Sequence, residues 1–119
     1  MLIAIPDVLL PEEAKALGRA IAAADWVDGN VTSGAGAAMA KRNRQLPEAS
    51  EAAMGARVAV QKALARSGLF LSAALPQAIY PPLFNRYGVG EGFGDHADNA
   101  IRVDPGTGIV RVRRTATCA

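Results

Sequence analysis

A chain of 119 residues, half of them hydrophobic and a fifth charged, has the size and composition of one globular domain. It is too apolar for a disordered tail and too short for several domains. Thirteen basic against eleven acidic side chains leave a net charge of +2, an excess too small to specify nucleic acid as a partner.

Aromatic residues make up only 5% of the chain, so the core rests on Ala, Leu, Val and Ile and is thin for this length. The single cysteine, Cys118, excludes an internal disulfide and points to a reducing compartment. The apolar start "MLIAIPDVLL" lacks a basic leader, is interrupted by Pro6 and Asp7, and has no small-residue cleavage site, so it does not read as a signal peptide. No apolar stretch approaches the roughly 20 residues that span a bilayer. The expected location is the cytoplasm.

In chain order, Leu2 to Ile5 reads as a short strand ended by Pro6. Pro11 suits the first turn of a helix, with Glu12 and Glu13 near its positive end. Ala14, Leu17, Ile21 and Ala24 continue one apolar face to about Asp25. "WVDGNVTSGAGAAM" has no sustained period and reads as turn and loop. A second helix is expected from about Ser50, a candidate N-cap, to Arg66; Ala53, Ala56, Val60 and Leu64 form its stripe and Gly68 stops it.

"LFLSAAL" (69–75) and "AIYPPLFNRY" (78–87) then read as strands. Pro81 and Pro82 make the second an edge, a bulge or a bend. "GVGEGFG" (88–94) is a glycine-rich connection, and "GIVRVR" (108–113) alternates like a strand with one solvated face. There is no internal repeat. Helices followed by strands give an α+β class with an antiparallel sheet starting in the second half.

The chemistry-bearing stretch is "FGDHADNAIR" (93–102), which holds the only histidine. On extended backbone, side chains two apart point the same way, so His96 and Asp98 can aim at one point. One imidazole and one carboxylate are two of the three ligands of a non-haem Fe(II) facial triad. The plainer alternative is a glycine-flanked loop whose aspartate bonds its own backbone. "KRNR" (41–44) and the arginines of 111–114 could touch phosphates, which would make the chain a small nucleic-acid-binding or structural module. The interleaved aromatics used by single-strand binders are missing, and a solvated loop and strand face account for these arginines.

"PPLFNRYGVGEGFGDHADNAIR" (81–102) closely resembles the PKHD-type hydroxylases, members of the Fe(II)/2-oxoglutarate dioxygenase superfamily related to prolyl 4-hydroxylases. "IPDVLLPEEA" (5–14), "ADWVDGNVTSG" (24–34), "QLPEAS" (45–50) and "LFLSAALPQAIYPPLFNRY" (69–87) resemble the same family, so the likeness runs to about Arg113. The resemblance implies a double-stranded β-helix, or jelly roll, preceded by helices. On that reading residues 1–119 are the N-terminal portion of one dioxygenase domain, helical to about 68 and entering the jelly roll over about 69–114, with the barrel incomplete.

The resemblance also implies roles for particular residues. His96 and Asp98 match the first two iron ligands. Tyr87 sits where related hydroxylases place a tyrosine that bonds 2-oxoglutarate; the alternative is a core aromatic. Asn99 and Arg102 would orient the ligands or line the substrate mouth, or else serve as plain polar surface side chains. The implied reaction uses O2 and 2-oxoglutarate to hydroxylate a C–H bond, releasing succinate and CO2, with ascorbate restoring ferrous iron. The family's second histidine and its basic anchor for 2-oxoglutarate have no counterpart here, since Arg111, Arg113 and Arg114 follow His96 too soon. The expectation is a fragment, inactive alone, produced by a frameshift or early stop near Arg113. It would be completed by a C-terminal half or by a second copy.

Overall fold

The computed structural model describes residues 2–32, 41–95, 101–103, 107–108 and 110–112. Its first residues are irregular: the strand expected at Leu2–Ile5 does not form. Leu2 and Ile3 are exposed there, and an isolated extended segment has no ladder to satisfy its backbone.

Helix α1 (Pro11–Ala22) starts where proline predicts. The Leu10 amide donates to Glu13 Oε1 at 2.9 Å, so an acidic side chain satisfies one of the helix's orphan donors. The helix ends short of Asp25, and Trp26 Nε1 donates to the Ile21 carbonyl at 2.9 Å, closing that end with an indole.

The segment read as loop contains strand β1 (Val27–Asp28) and a 3-10 turn (Gly29–Thr32). Two strands follow that the apolar pattern did not announce, β2 (Lys41–Arg42) and β3 (Arg44–Gln45). "KRNR" is therefore strand and not a solvated loop.

Helix α2 (Glu51–Arg66) forms as the sequence predicts, with Ser50 Oγ accepting from the Ala53 amide at 3.2 Å. Ala53 and Ala56 of the expected stripe are buried, and Ala63 and Arg57 join them. Gly68 does not simply stop the chain. It opens helix α3 (Gly68–Ala74), capped by Ser67 Oγ, which accepts from the Phe70 amide at 3.2 Å.

The strand expected at 69–75 is thus a helix. A seven-residue apolar run has no period that separates the two, and the serine cap decides. Leu75 closes this helix in the left-handed region (φ 44°), its amide donating to the Leu71 carbonyl at 3.0 Å, with Pro76 barring any continuation.

Of residues 78–87 only β4 (Asn85–Arg86) is strand, as the proline pair requires. Then come β5 (Gly92–Phe93), β6 (Ile101–Val103) and β7 (Val110–Val112), the last inside the strand expected at 108–113. Among the described residues these strands form three antiparallel sheets, ordered β1-β3-β4, β2-β5 and β6-β7. The class is α+β as expected, and the described residues form no closed barrel. Strands β1–β3 precede α2, and helix α3 follows it before β4.

Among the described residues the buried apolar side chains are Leu46, Ala53, Ala56 and Ala63. Arg57 sits among them at 9% exposure, and its Nε donates to the Pro82 carbonyl at 3.0 Å. Its other nitrogens bond the Glu48 carbonyl at 2.9 Å and the Glu48 carboxylate at 3.3 Å. One guanidinium therefore fastens α2 to the chain before it and to the proline bend that leads into β4. No helix among the described residues is long and apolar enough to cross a membrane.

Candidate functional site

His96, Asp98 and Asn99 lie outside the described residues. Arg102 lies in β6, its Cα opposite Arg111 of β7, and its side chain is likewise outside them. Tyr87 directly follows β4 and is half exposed (46%), so it is not the buried core aromatic of its plainer reading. The described residues contain no group of three His, Cys, Asp or Glu that could hold a metal ion.

What the structure does describe is the frame on either side of residues 96–100. Before them, a turn carries β4 into β5. The Glu91 amide donates to the Gly88 carbonyl at 3.1 Å, and the Gly88 amide donates to Glu91 Oε2 at 2.8 Å. Gly90 takes φ 78°, a conformation that glycine accepts without a Cβ clash.

Strand β5 then pairs with β2, Lys41 opposite Phe93 and Arg42 opposite Gly92. Beyond residue 100, β6 pairs with β7, and Tyr80 donates its hydroxyl proton to the Val103 carbonyl at 2.9 Å. The "HADNA" segment is thus bracketed by two short strands, each held from outside.

The strand beside β5 carries the feature that pattern reading missed. Along 41–45 the exposed positions are Arg42 and Arg44, and the buried ones are Lys41 (7%), Asn43 (7%) and Gln45 (1%). An inward strand face ordinarily carries Val, Ile or aromatic residues, because buried polar groups must be matched by partners. Here the inward row is wholly polar and cross-linked. Lys41 Nζ donates to Gln45 Oε1 at 3.4 Å and lies 5.5 Å from the centre of the Phe93 ring. Asn43 Nδ2 donates to Asn85 Oδ1 at 3.1 Å, and the Gly29 amide donates to the Asn43 carbonyl at 3.0 Å. Only the spacing of two in Lys41, Asn43 and Gln45 could have signalled this, and the polar character of the row concealed it.

The same row decides which side chains of "KRNR" face outward. Lys41 and Asn43 of "KRNR" are buried, which leaves Arg42 and Arg44 outward. Arg44 stands between Asp28 and Arg86 across the three-stranded sheet, and Arg86 lies over the Trp26 ring at 5.0 Å.

No protein-family model matches the chain. A PKHD-type hydroxylase of Burkholderia thailandensis is 57% identical to it over 107 residues, 90% of this chain and 47% of that relative. One from Caulobacter sp. (strain K31) is 56% identical over 108 residues, 91% of this chain and 48% of its own length. A third, from Xanthomonas campestris pv. campestris, is 54% identical over 108 residues. The chain belongs with the PKHD-type hydroxylases. It spans about half the length of the curated relatives it matches. A match of 107 residues within 119 includes positions 96 and 98 whichever end is left over. The relatives' shared name makes the family one of hydroxylases.

Proposed function

We propose that this chain is the N-terminal half of an Fe(II)- and 2-oxoglutarate-dependent hydroxylase of jelly-roll fold, and that it contributes two of the three iron ligands. The observation that carries the reading is the 57% identity to a PKHD-type hydroxylase across a span that includes the one His-x-Asp motif. The donor set suits the metal: a neutral imidazole and a carboxylate, two residues apart, are borderline and hard ligands of the kind ferrous iron takes. The iron, with 2-oxoglutarate and O2, would supply the oxidising chemistry that hydroxylates a C–H bond and releases succinate and CO2.

This chain's own residues bind and orient. His96, through Nδ1 or Nε2, and the Asp98 carboxylate would hold the ion. Tyr87, half exposed beside the turn into β5, would donate a hydrogen bond from its hydroxyl to 2-oxoglutarate. Asn99 and Arg102 orient the ligands or face the substrate. The third ligand and the basic anchor for 2-oxoglutarate come from the half of the relatives' length that this chain does not span, and the 119 residues alone do not turn over. Ascorbate would keep the iron ferrous in the complete enzyme. A cytoplasmic setting fits a single cysteine and an oxidisable ferrous centre.

The test is Mn(II) binding to the chain, followed by electron paramagnetic resonance, in the wild type and in His96→Ala and Asp98→Ala variants. Each variant is expected to lose at least about tenfold in affinity with an unchanged circular dichroism spectrum. Equal affinity in all three chains would remove the case for these ligands.

A further inference from the structure

We infer that Lys41 is a positioning residue for the metal-binding segment, gripping the strand that delivers His96; the inference rests on the proposed iron site. Strand β5 is poorly equipped to hold itself. Gly88, Gly90, Gly92 and Gly94 alternate through its approach and exit, and glycine backbone is costly to order. Its ladder with β2 is two residues long, well below what makes a strand pair stable alone. Of those two residues Gly92 has no side chain, so Phe93 is the one side chain by which β5 itself can be held.

The ammonium of Lys41 lies over that ring at 5.5 Å. Its hydrogen bond to Gln45 holds it in the opposite direction. Gln45, at 1% exposure and 3.4 Å away, belongs to β3, the central strand of the three-stranded sheet. Lys41 therefore bridges the better-braced sheet to β5. His96 follows Phe93 by three residues, at most about 11 Å of extended chain, so where Phe93 sits limits where the imidazole can reach.

A merely space-filling inward position would favour Val or Ile. A buried ammonium costs desolvation and is retained where its charge has work to do.

The experiment compares the 119-residue chain with Lys41→Met, which keeps the stem and removes the charge, and Lys41→Arg, which restores a cation over the ring. Amide hydrogen exchange is read by NMR without metal, together with the single imidazole resonance that the lone histidine provides. Mn(II) affinity is then measured by paramagnetic resonance.

In Lys41→Met the Gly92 and Phe93 amides are expected to exchange roughly fivefold faster. The His96 resonance should shift, Mn(II) affinity should fall about tenfold, and α2 amides should keep their protection. Lys41→Arg should recover most of both losses. Three outcomes overturn the inference: unchanged exchange at β5, losses spread evenly over α2 and β3, or faster β5 exchange with wild-type Mn(II) affinity. A wild-type chain that binds no Mn(II) overturns the iron reading itself, and is seen before any Lys41 variant is made.

Discussion

Gly29 is small because Asn43 leaves it no alternative. A Cβ built at Gly29 would stand 1.7 Å from Asn43 Oδ1 and 2.8 Å from its Cγ. The Asn43 side chain cannot swing aside freely, since it is buried and its Nδ2 is committed to Asn85. Among the described residues its Oδ1 accepts no hydrogen bond, as expected of an oxygen pressed against a methylene. Gly29→Ala is therefore expected to destabilise the chain by about 2–3 kcal/mol, by overpacking and by breaking the bridge to β4. Urea denaturation measures this, and an unchanged midpoint would mean that Asn43 yields without penalty. None of this was legible in the sequence, where Gly29 stands in "VDGNVTSG" as one turn glycine among several. Its constraint comes from a residue on another strand, and a local pattern holds no record of distant contacts. The His-x-Asp pair is the opposite case. The sequence displays it openly, and the resemblance around it, more than the spacing of two, gave it meaning.

At the scale of elements, features with local causes were readable and features with tertiary causes were not. Ser50 caps α2 and Pro11 opens α1 because caps act within one turn. Strands β2 and β3 were missed because their inward face is polar. Helix α3 was mistaken for a strand because its short apolar run is compatible with either state.

The joint between α1 and α2 adds a dependence on pH. Arg66 donates to both oxygens of Glu13, at 2.9 Å to Oε2, and to the Val8 carbonyl at 3.2 Å. These bonds, first from Arg66 and then from the Leu10 amide, hold the Glu13 carboxyl below its ordinary value of 4.5 and raise the Arg66 guanidinium. A carboxyl that is more acidic in the folded state adds stability above its unfolded pKa. That contribution is lost as the pH falls through the folded value. Arg66 stays charged throughout, so Glu13 sets the window. Glu13→Gln should melt below the wild type at neutral pH, by a small margin because the pair is solvated. The two midpoints should converge once the pH is below the range in which Glu13 titrates. A gap that persists in acid would show that the pair acts through something other than its charge.

At the scale of the whole molecule, the described helices leave apolar surface open. Leu10, Met54, Val58, Leu69, Leu71 and Leu75, which lie on or beside these helices, are all at least 39% exposed. Helices α1 and α3 bury no residue fully. An alanine-lined groove between α1 and α2, floored by Ala16, Ala20, Ala52 and Ala56, stands open.

Among the described residues the buried apolar side chains are one leucine and three alanines, too small a centre to hold these elements firmly by itself. The relatives, twice as long, have the additional chain that could cover such a face. The 119-residue chain should therefore bind the dye ANS strongly and melt over a broad range. The remaining half of the Burkholderia thailandensis relative, supplied as a separate polypeptide, should suppress the fluorescence and sharpen the melt. Suppression that instead rises with the chain's own concentration would show a second copy serving as the cover. Weak dye binding and a sharp transition at high dilution would mean that the small core suffices, and the case for a covering half would fall.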